Sequence, residues 1–304
     1  MVYKKIVIQF TGSAKGLPTA DQLFGQMVWA WSDMLGEERA TEIVRTFHDD
    51  PWFLLSAAMP AGYVPIPRYR HHGDSTVEKR AHAKKNKKCA WIPIKQFLLL
   101  QDDPDVFSTL DFSDDQPRFS SFAIPHVSIN RLSGCADDGQ LYQEQVVCIE
   151  KPITVFLSIQ EKHEKDVESL LDVALSSFGQ CGLGGDRAIG RGACHLKLEE
   201  LSEGERGMFA KKSQSFMTLS RCSGLDLSAY SYAVTAYAGI IGRGCTEGGM
   251  QFNKQPVLYF EPGSLFLGGK GCLLDDIHPD KRICSYAYAF PVPISIGGGH
   301  EQDV

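Results

Sequence analysis

Gly182-Leu183-Gly184-Gly185-Asp186-Arg187-Ala188-Ile189-Gly190-Arg191-Gly192 is the stretch on which the reading of this chain turns. Five of its eleven positions are glycine, which permits left-handed backbone angles and close approach by another backbone. Exposed amides in such a turn can cradle phosphate oxygens, and the planar forks of Arg187 and Arg191 suit phosphate too. Just upstream, residues 161–178 place Val167, Leu170, Leu171, Ala174, Leu175 and Phe178 on one helical face. Just downstream, residues 194–198 read as a strand. The glycine stretch is therefore expected to join a helix to a strand.

Four chemistries compete for it. A Walker A loop needs Lys then Ser/Thr after its last glycine and follows a strand; here Arg191 and Gly192 stand in those places and a helix precedes. Gly184-Gly185-Asp186 imitates the metal-binding hairpin of a polymerase palm, but that site needs neighbouring carboxylates and Arg187 would repel the cation. A plain helix-to-strand connection is the third reading. Binding of an RNA backbone by Gly182, Gly184, Gly185, Gly190 and Gly192 with the two arginines is the fourth.

Working outward, residues 3–10 alternate, with Ile6, Ile8 and Phe10 on one face of a half-buried strand. Thr19 and Gln22 form a capping-box pattern. The helix after it carries Leu23, Met27, Ala30, Trp31 and Met34 at helical spacing and stops at Gly36, and a second helix is expected from Glu37 to about Phe47. Residues 145–159 read as two strands broken at Lys151-Pro152, where a domain boundary is placed. Strand-like runs follow at 194–198, 215–220, 229–241, 256–260 and 283–294, with no second helix expected in that half. Each half thus opens strand–helix–strand, which suggests two α+β domains with antiparallel sheets, 1–151 and 152–304. The last residues, GGGHEQDV, read as a frayed tail.

The 304 residues are 43% hydrophobic and 22% charged, ordinary for a chain that buries a core. No run of 18 apolar residues suggests a membrane span, and no signal-peptide pattern opens the sequence. Nine scattered cysteines without a Cys-x-x-Cys pair read as reduced thiols in a cytoplasmic protein. Cys181, Cys194 and His195 make a weak metal set, and no cofactor is expected. The net charge of −6 is segregated. Residues 79–88 (KRAHAKKNKK) hold six bases and no acid, whereas 102–115 hold six aspartates and no base, and such blocks often belong to interaction surfaces.

The pattern of glycine, apolar, glycine, a short basic stretch, then glycine, basic, glycine resembles the loop that ends a helix in RAMP proteins, the repeat-associated RNA-binding proteins of CRISPR systems. Other stretches narrow the resemblance to the Csm-subunit-four family of type III-A effector complexes. LPTADQLFGQMVWAW (17–31) and FLLSAAMPAGYVPIPR (53–68) are similar to its first helix and the segment after it. HVSINRLSG (126–134) resembles its mid-chain motif, and YFEPGSLF (259–266) with DIHPD (276–280) its C-terminal signature. The poorest match is 69–120.

The resemblance implies two ferredoxin-like domains related to RNA recognition motifs. The first, 1–151, would carry the basic/acidic segment as an inserted loop, and the second, 152–304, the glycine-rich loop. It implies a non-catalytic subunit that holds the repeat-derived 5′ tag of a CRISPR RNA. The subunit would sit between the Cas-ten large subunit (Csm subunit one) and Csm subunit three, and meet target RNA only indirectly. A projecting loop could wedge between tag and guide and unstack a base. Lys84, Lys85, Lys87 and Lys88 with Trp91 are the candidates for it, a solvated loop being the alternative. Arg131, with Asn130 and His126 beside it, is a further candidate RNA contact, although it could pair with Asp137 or Asp138 instead. Gly242-Arg243-Gly244 reads as a turn.

Two other functions stay open. A metal-independent repeat endoribonuclease needs a general base and acid, for which His126, His195 and His71-His72 are available, His195 being the best placed. A protein-only scaffold needs no RNA contact. His48-Asp49 reads as a helix end, and no Gly-x-Ser-x-Gly elbow occurs.

Overall fold

The alternation over residues 3–10 does what its period requires: Ile6, Ile8 and Phe10 are buried, and the intervening side chains are less so. The structure, a computed structural model, describes residues 1–69, 76–241 and 253–296, with the backbone but not the side chains of 137–140. The His71-His72 pair, Gly242-Arg243-Gly244, the side chains of Asp137 and Asp138, and the whole C-terminal tail GGGHEQDV fall outside the described residues.

The chain begins with β1 (Val2–Phe10), β2 (Ser13–Ala14), α1 (Ala20–Leu35), α2 (Glu37–Asp49) and β3 (Phe53–Leu55). It continues through β4 (Met59–Pro60), β5 (Tyr63–Pro65), α3 (Val77–Asn86), β6 (Trp91–Pro93), α4 (Ile94–Asp102) and α5 (Val106–Thr109). Then come β7 (Ser120–Ile129), β8 (Ala136–Cys148), β9 (Ile153–Ile159), α6 (Glu164–Cys181), β10 (Cys194–Glu200) and α7 (Glu203–Ala210). Short strands complete it: β11 (Phe216–Thr218), β12 (Ser228–Ser231), β13 (Val234–Tyr237) and β14 (Val257–Phe260). The last are β15 (Leu265–Gly268), β16 (Gly271–Leu274), β17 (Ser285–Tyr288) and β18 (Pro291–Pro293).

The main sheet has the order β10-β1-β9-β3, with β4 also on β9 and all pairings antiparallel. Read in chain order with α1 and α6, this is strand–helix–strand–strand–helix–strand, the ferredoxin-like arrangement. Residues 56–152 are inserted between its second and third strands. Strand β1 pairs with β9 and β10, both beyond residue 152. The boundary expected at 151/152 therefore falls inside one sheet, and the glycine-rich stretch belongs to the unit that β1 begins. Trp31 ties the two covering helices, its indole N–H donating to the Leu170 carbonyl at 2.9 Å. Met34, expected on the same buried face, is exposed.

The second core is likewise shared between the halves. Ile92, Phe97, Phe107 and Phe112 from the insertion pack with Met208, Met217, Phe290 and Val292 from the C-terminal part. Its sheet has the order β12-β15-β11-β18, antiparallel throughout and, counted in chain order, the same order as the main sheet, but no helix lies between its strands among the described residues. Helix α7, not expected, has a capping box that the sequence does display: Ser202 and Glu205 satisfy each other's backbone N–H.

The basic block is a helix rather than a projecting loop. Thr76 caps α3, and the buried Asn86 holds the helix to the acidic stretch. Its amide donates to the carbonyls of Phe107 (2.8 Å) and Leu110 (2.7 Å), and its oxygen accepts from Phe112 N–H at 3.0 Å. Lys85 meets Asp111 at 2.5 Å, and that contact holds the Asp111 carboxyl below the usual carboxylate range. The acidic stretch, expected as loop, includes the end of α4 and all of α5.

Replacing Asn86 with Ala would strand three backbone polar groups in a buried site. A loss of about 2–4 kcal/mol in urea unfolding is expected, against little change for Lys84→Ala on the same helix.

Candidate nucleic-acid interface

Helix α6 must reverse into β10 within a few residues, and the glycines make the turn possible. Gly182, at φ +79°, closes the helix, and its N–H donates to the Phe178 carbonyl at 2.8 Å. Gly192 sits at φ +72°, where an added Cβ would overlap the Leu183 carbonyl oxygen. Leu183 N–H in turn donates to the Gly192 carbonyl at 2.9 Å, so the neck of the loop is closed by backbone contact. The loop then bulges outward through a single 3₁₀ turn, Arg187–Ile189, between left-handed Asp186 (φ +58°) and Gly190 (φ +84°). A Cβ on Gly184 or Gly190 would meet open space. Gly185 is crossed by the stem of Lys15, whose Cδ would lie 3.0 Å from an added Cβ.

The two arginines have different surroundings. Arg191 is only 6% exposed, and its Nη2 forms an ion pair with Glu144 Oε2 at 2.6 Å. A charge so deep in the fold requires such a partner, because its desolvation is costly. Arg191, expected to grip phosphate, is therefore an internal group in this fold. Arg187 lies half-exposed on the bulge, with no carboxylate at ion-pair distance among the described residues. Lys15 reaches both Glu144 (3.2 Å) and Asp186 (2.8 Å). That contact lowers the Asp186 carboxyl and raises the Lys15 ammonium.

Glu144 belongs to β8, which forms with β7 a long hairpin paired from Ser120↔Cys148 to Ile129↔Ala136. At about 3.3 Å per residue the ten-residue β7 extends roughly 30 Å. Sequence reasoning missed this hairpin; the alternation in its exposed strands is too weak, and Gly134 in the turn was its best signal. Asn130, expected at RNA, instead organises the tip. Its side-chain oxygen accepts from Leu132 N–H (2.9 Å) and Ser133 N–H (3.3 Å), and Gly134 adopts φ +68°. Arg131 and Leu132 project from that turn, and Leu132 is 99% exposed. His126 stacks on the exposed Tyr142, ring centroids 5.2 Å apart, and its Nε2 lies 3.2 Å from Glu144 Oε2.

The remaining expected residues do not converge on this region. Lys84, Lys87 and Lys88 are exposed on and just after α3, and Lys85 is engaged with Asp111. Trp91 packs on the second core, and its carbonyl accepts from Gln116, so its ring is no projecting wedge. Cys194 and His195, neighbours on β10, point to opposite faces: burial pushes the Cys194 thiol up to about 11, while His195 is exposed. No group of His, Cys, Asp and Glu able to hold a metal ion occurs among the described residues. No helix among them is long and apolar enough to cross a membrane.

Fold and site together define a class: an α+β protein with a ferredoxin-like sheet, a glycine-rich loop after its second covering helix, and a projecting hairpin braced on that loop. No protein-family model matches the sequence, and no curated protein does. Among solved structures, a chain of the Csm1–Csm4 cassette in complex with cA4 superposes with a TM-score of 0.64 at 15% identity, over 98% of this chain and 100% of that one. A chain of the same cassette with AMPPNP gives 0.65 at 16% identity, with the same coverage. A chain of the Csm3–Csm4 subcomplex of the type III-A CRISPR-Cas interference complex gives 0.66 at 14%, over 96% of this chain and 99% of that one. Csm4 is the component common to these assemblies, and the chain has a Csm4-like fold along its length.

The loop geometry separates its glycines. Gly190→Ala places a Cβ at positive φ in open space and is expected to cost about 1–2 kcal/mol. Gly192→Ala adds collision with the Leu183 carbonyl and should cost more, about 3 kcal/mol or above, in chemical denaturation.

Proposed function

We propose that this chain is a non-catalytic RNA-binding subunit of a type III-A CRISPR (Csm) ribonucleoprotein that holds the repeat-derived 5′ tag of the CRISPR RNA. The observation that carries the reading is the likeness to Csm4-containing assemblies over nearly the whole length of both chains. Their composition supports a place between a large subunit of the Csm1 kind and a backbone subunit of the Csm3 kind. Target RNA would then be met only across the guide.

The chemistry of the interface fits single-stranded RNA. Half-exposed Arg187 on the glycine bulge suits a phosphate, whereas the Ile189, Gly190 and Arg191 amides behind it already donate to the carbonyls of Asp186 and Arg187. The hairpin supplies what α3 does not: a projecting tip with Arg131 for charge and Leu132 as an apolar wedge, and Tyr142 lower down as a stacking surface. Phosphate contacts would set the register of the tag, while the tip unstacks a base. The lysines of α3 form a separate basic face, which fits a peripheral phosphate contact.

Fluorescence anisotropy with a tag-length RNA at several salt concentrations tests the reading. Arg187→Ala should weaken binding and reduce the slope of log affinity against log salt by about 0.7, one phosphate contact on a single strand. Unchanged affinity and slope would remove the bulge from the RNA path. Repeat-RNA cleavage in EDTA that disappears in His195→Ala would identify a ribonuclease instead.

A further inference from the structure

We propose that Glu144 is a positioning residue: it locks the β7–β8 hairpin onto the glycine-rich loop, so that the hairpin tip stands at a fixed place relative to the exposed side of that loop. The consequence for RNA rests on the reading above, whereas the lock itself does not.

The hairpin needs an anchor. Beyond its base it is a two-stranded ribbon, since β2 pairs with β8 only at Ser13↔Cys148 and Ala14↔Val147. Such ribbons are marginal by themselves. Glu144 lies just beyond that base, on the ribbon face that also carries Ile124, His126 and Tyr142. Its two oxygens are divided between two elements. Oε2 takes Arg191 of the glycine loop at 2.6 Å, and Oε1 takes Lys15 at 3.2 Å. Lys15 continues to Asp186 at 2.8 Å, back on the loop. The backbone repeats the connection, with Gly192 N–H donating to the Ser13 carbonyl at 2.9 Å.

The charges make Glu144 the hub of this arrangement. Two carboxylates, Glu144 and Asp186, balance two permanent cations, Lys15 and Arg191, and His126 Nε2 faces the same Glu144 oxygen from β7. Arg191 is buried, and its Nη1 already has no hydrogen-bond partner among the described residues. Without Glu144 its guanidinium would keep no ion-pair partner of its own, and the cheapest relief is for loop and hairpin to separate and admit water. The side chain thus acts on RNA only through where it holds the tip.

Hydrogen exchange on the full chain tests the lock. In Glu144→Gln, amides of β7, β8 and the glycine loop should exchange about ten- to a hundred-fold faster, the factor for losing one charged contact inside the fold, with β1 and β9 unchanged. Arg191→Met should do the same, and the double variant should be no faster than Arg191→Met alone, since both remove one interaction. Lys15→Met, at a more exposed position, should give a smaller effect and serves if a buried variant fails to fold. Unchanged exchange in a folded variant, or additive effects in the double, would overturn the proposal.

A second arm uses tag-length RNAs carrying 2-aminopurine at successive positions. Wild type should brighten one position as the tip unstacks it. Glu144→Gln should lose that signal while keeping the salt slope, and keeping both would overturn the positioning role. Faster exchange in the variant with no brightening even in wild type would leave the lock standing and remove the RNA reading.

Discussion

Strand β1 hydrogen-bonds along one edge to β9 and along the other to β10, and most of the architecture follows from that double pairing. Both partners come from the far side of residue 152, so the sheet cannot form until the chain has returned twice. Everything between β3 and β9 must hang from the sheet as an insertion. That insertion places only Ala58 and Ile149 among the buried residues of the helix-covered face, which α1 and α6 fill with Trp31, Leu171 and Phe178. It finds burial against the C-terminal strands instead, and Gln101 fastens it there by donating to the carbonyls of Met208 (2.9 Å) and Pro293 (2.6 Å). The glycine-rich loop lies at the C-terminal end of β1 for the same reason: α6 has to come back to that end to start β10.

What the sequence disclosed follows from how local each signal is. Strand β1, the capping box of α1, the stop at Gly36 and the break at Lys151-Pro152 each depend on residues within one turn or one pleat, and all are legible. The division into halves failed because strand partners are chosen by long-range pairing, which periodicity does not report. Helix α3 was hidden by its composition. Its lysines give it almost no apolar face, and its place is fixed by one buried Asn86 whose partners lie beyond residue 106. Helix α7 was legible after all, since Ser202 and Glu205 stand at capping-box spacing.

The two arginines show the limit most clearly. In sequence Arg187 and Arg191 look alike, each a basic residue in a glycine-rich turn. Their roles diverge because Gly192 folds back on Leu183, drawing Arg191 inward under the hairpin while the 3₁₀ turn carries Arg187 outward. A buried guanidinium needs a carboxylate, and the one it finds belongs to a strand 47 residues earlier. A motif can announce that a turn is glycine-rich and basic. Which of its cations faces solvent depends on what packs against it.

That division of labour explains why a surface built for a flexible ligand should contain so rigid a base. A ribbon with unpaired edges and exposed Phe122, Val127, Ile129, Leu132 and Leu141 carries the hazards of an open edge, and proteins ordinarily blunt such features. Here the apolar side chains persist along the ribbon while charge is concentrated at its root. A tip that must enter between stacked bases gains from being apolar, and it gains nothing if its root can swing. Each degree of freedom left at the base would have to be frozen when RNA binds, at a cost in affinity. Fixing the root with ion pairs inside the fold removes that cost beforehand, and it leaves the exposed cations of the bulge and the tip for the ligand.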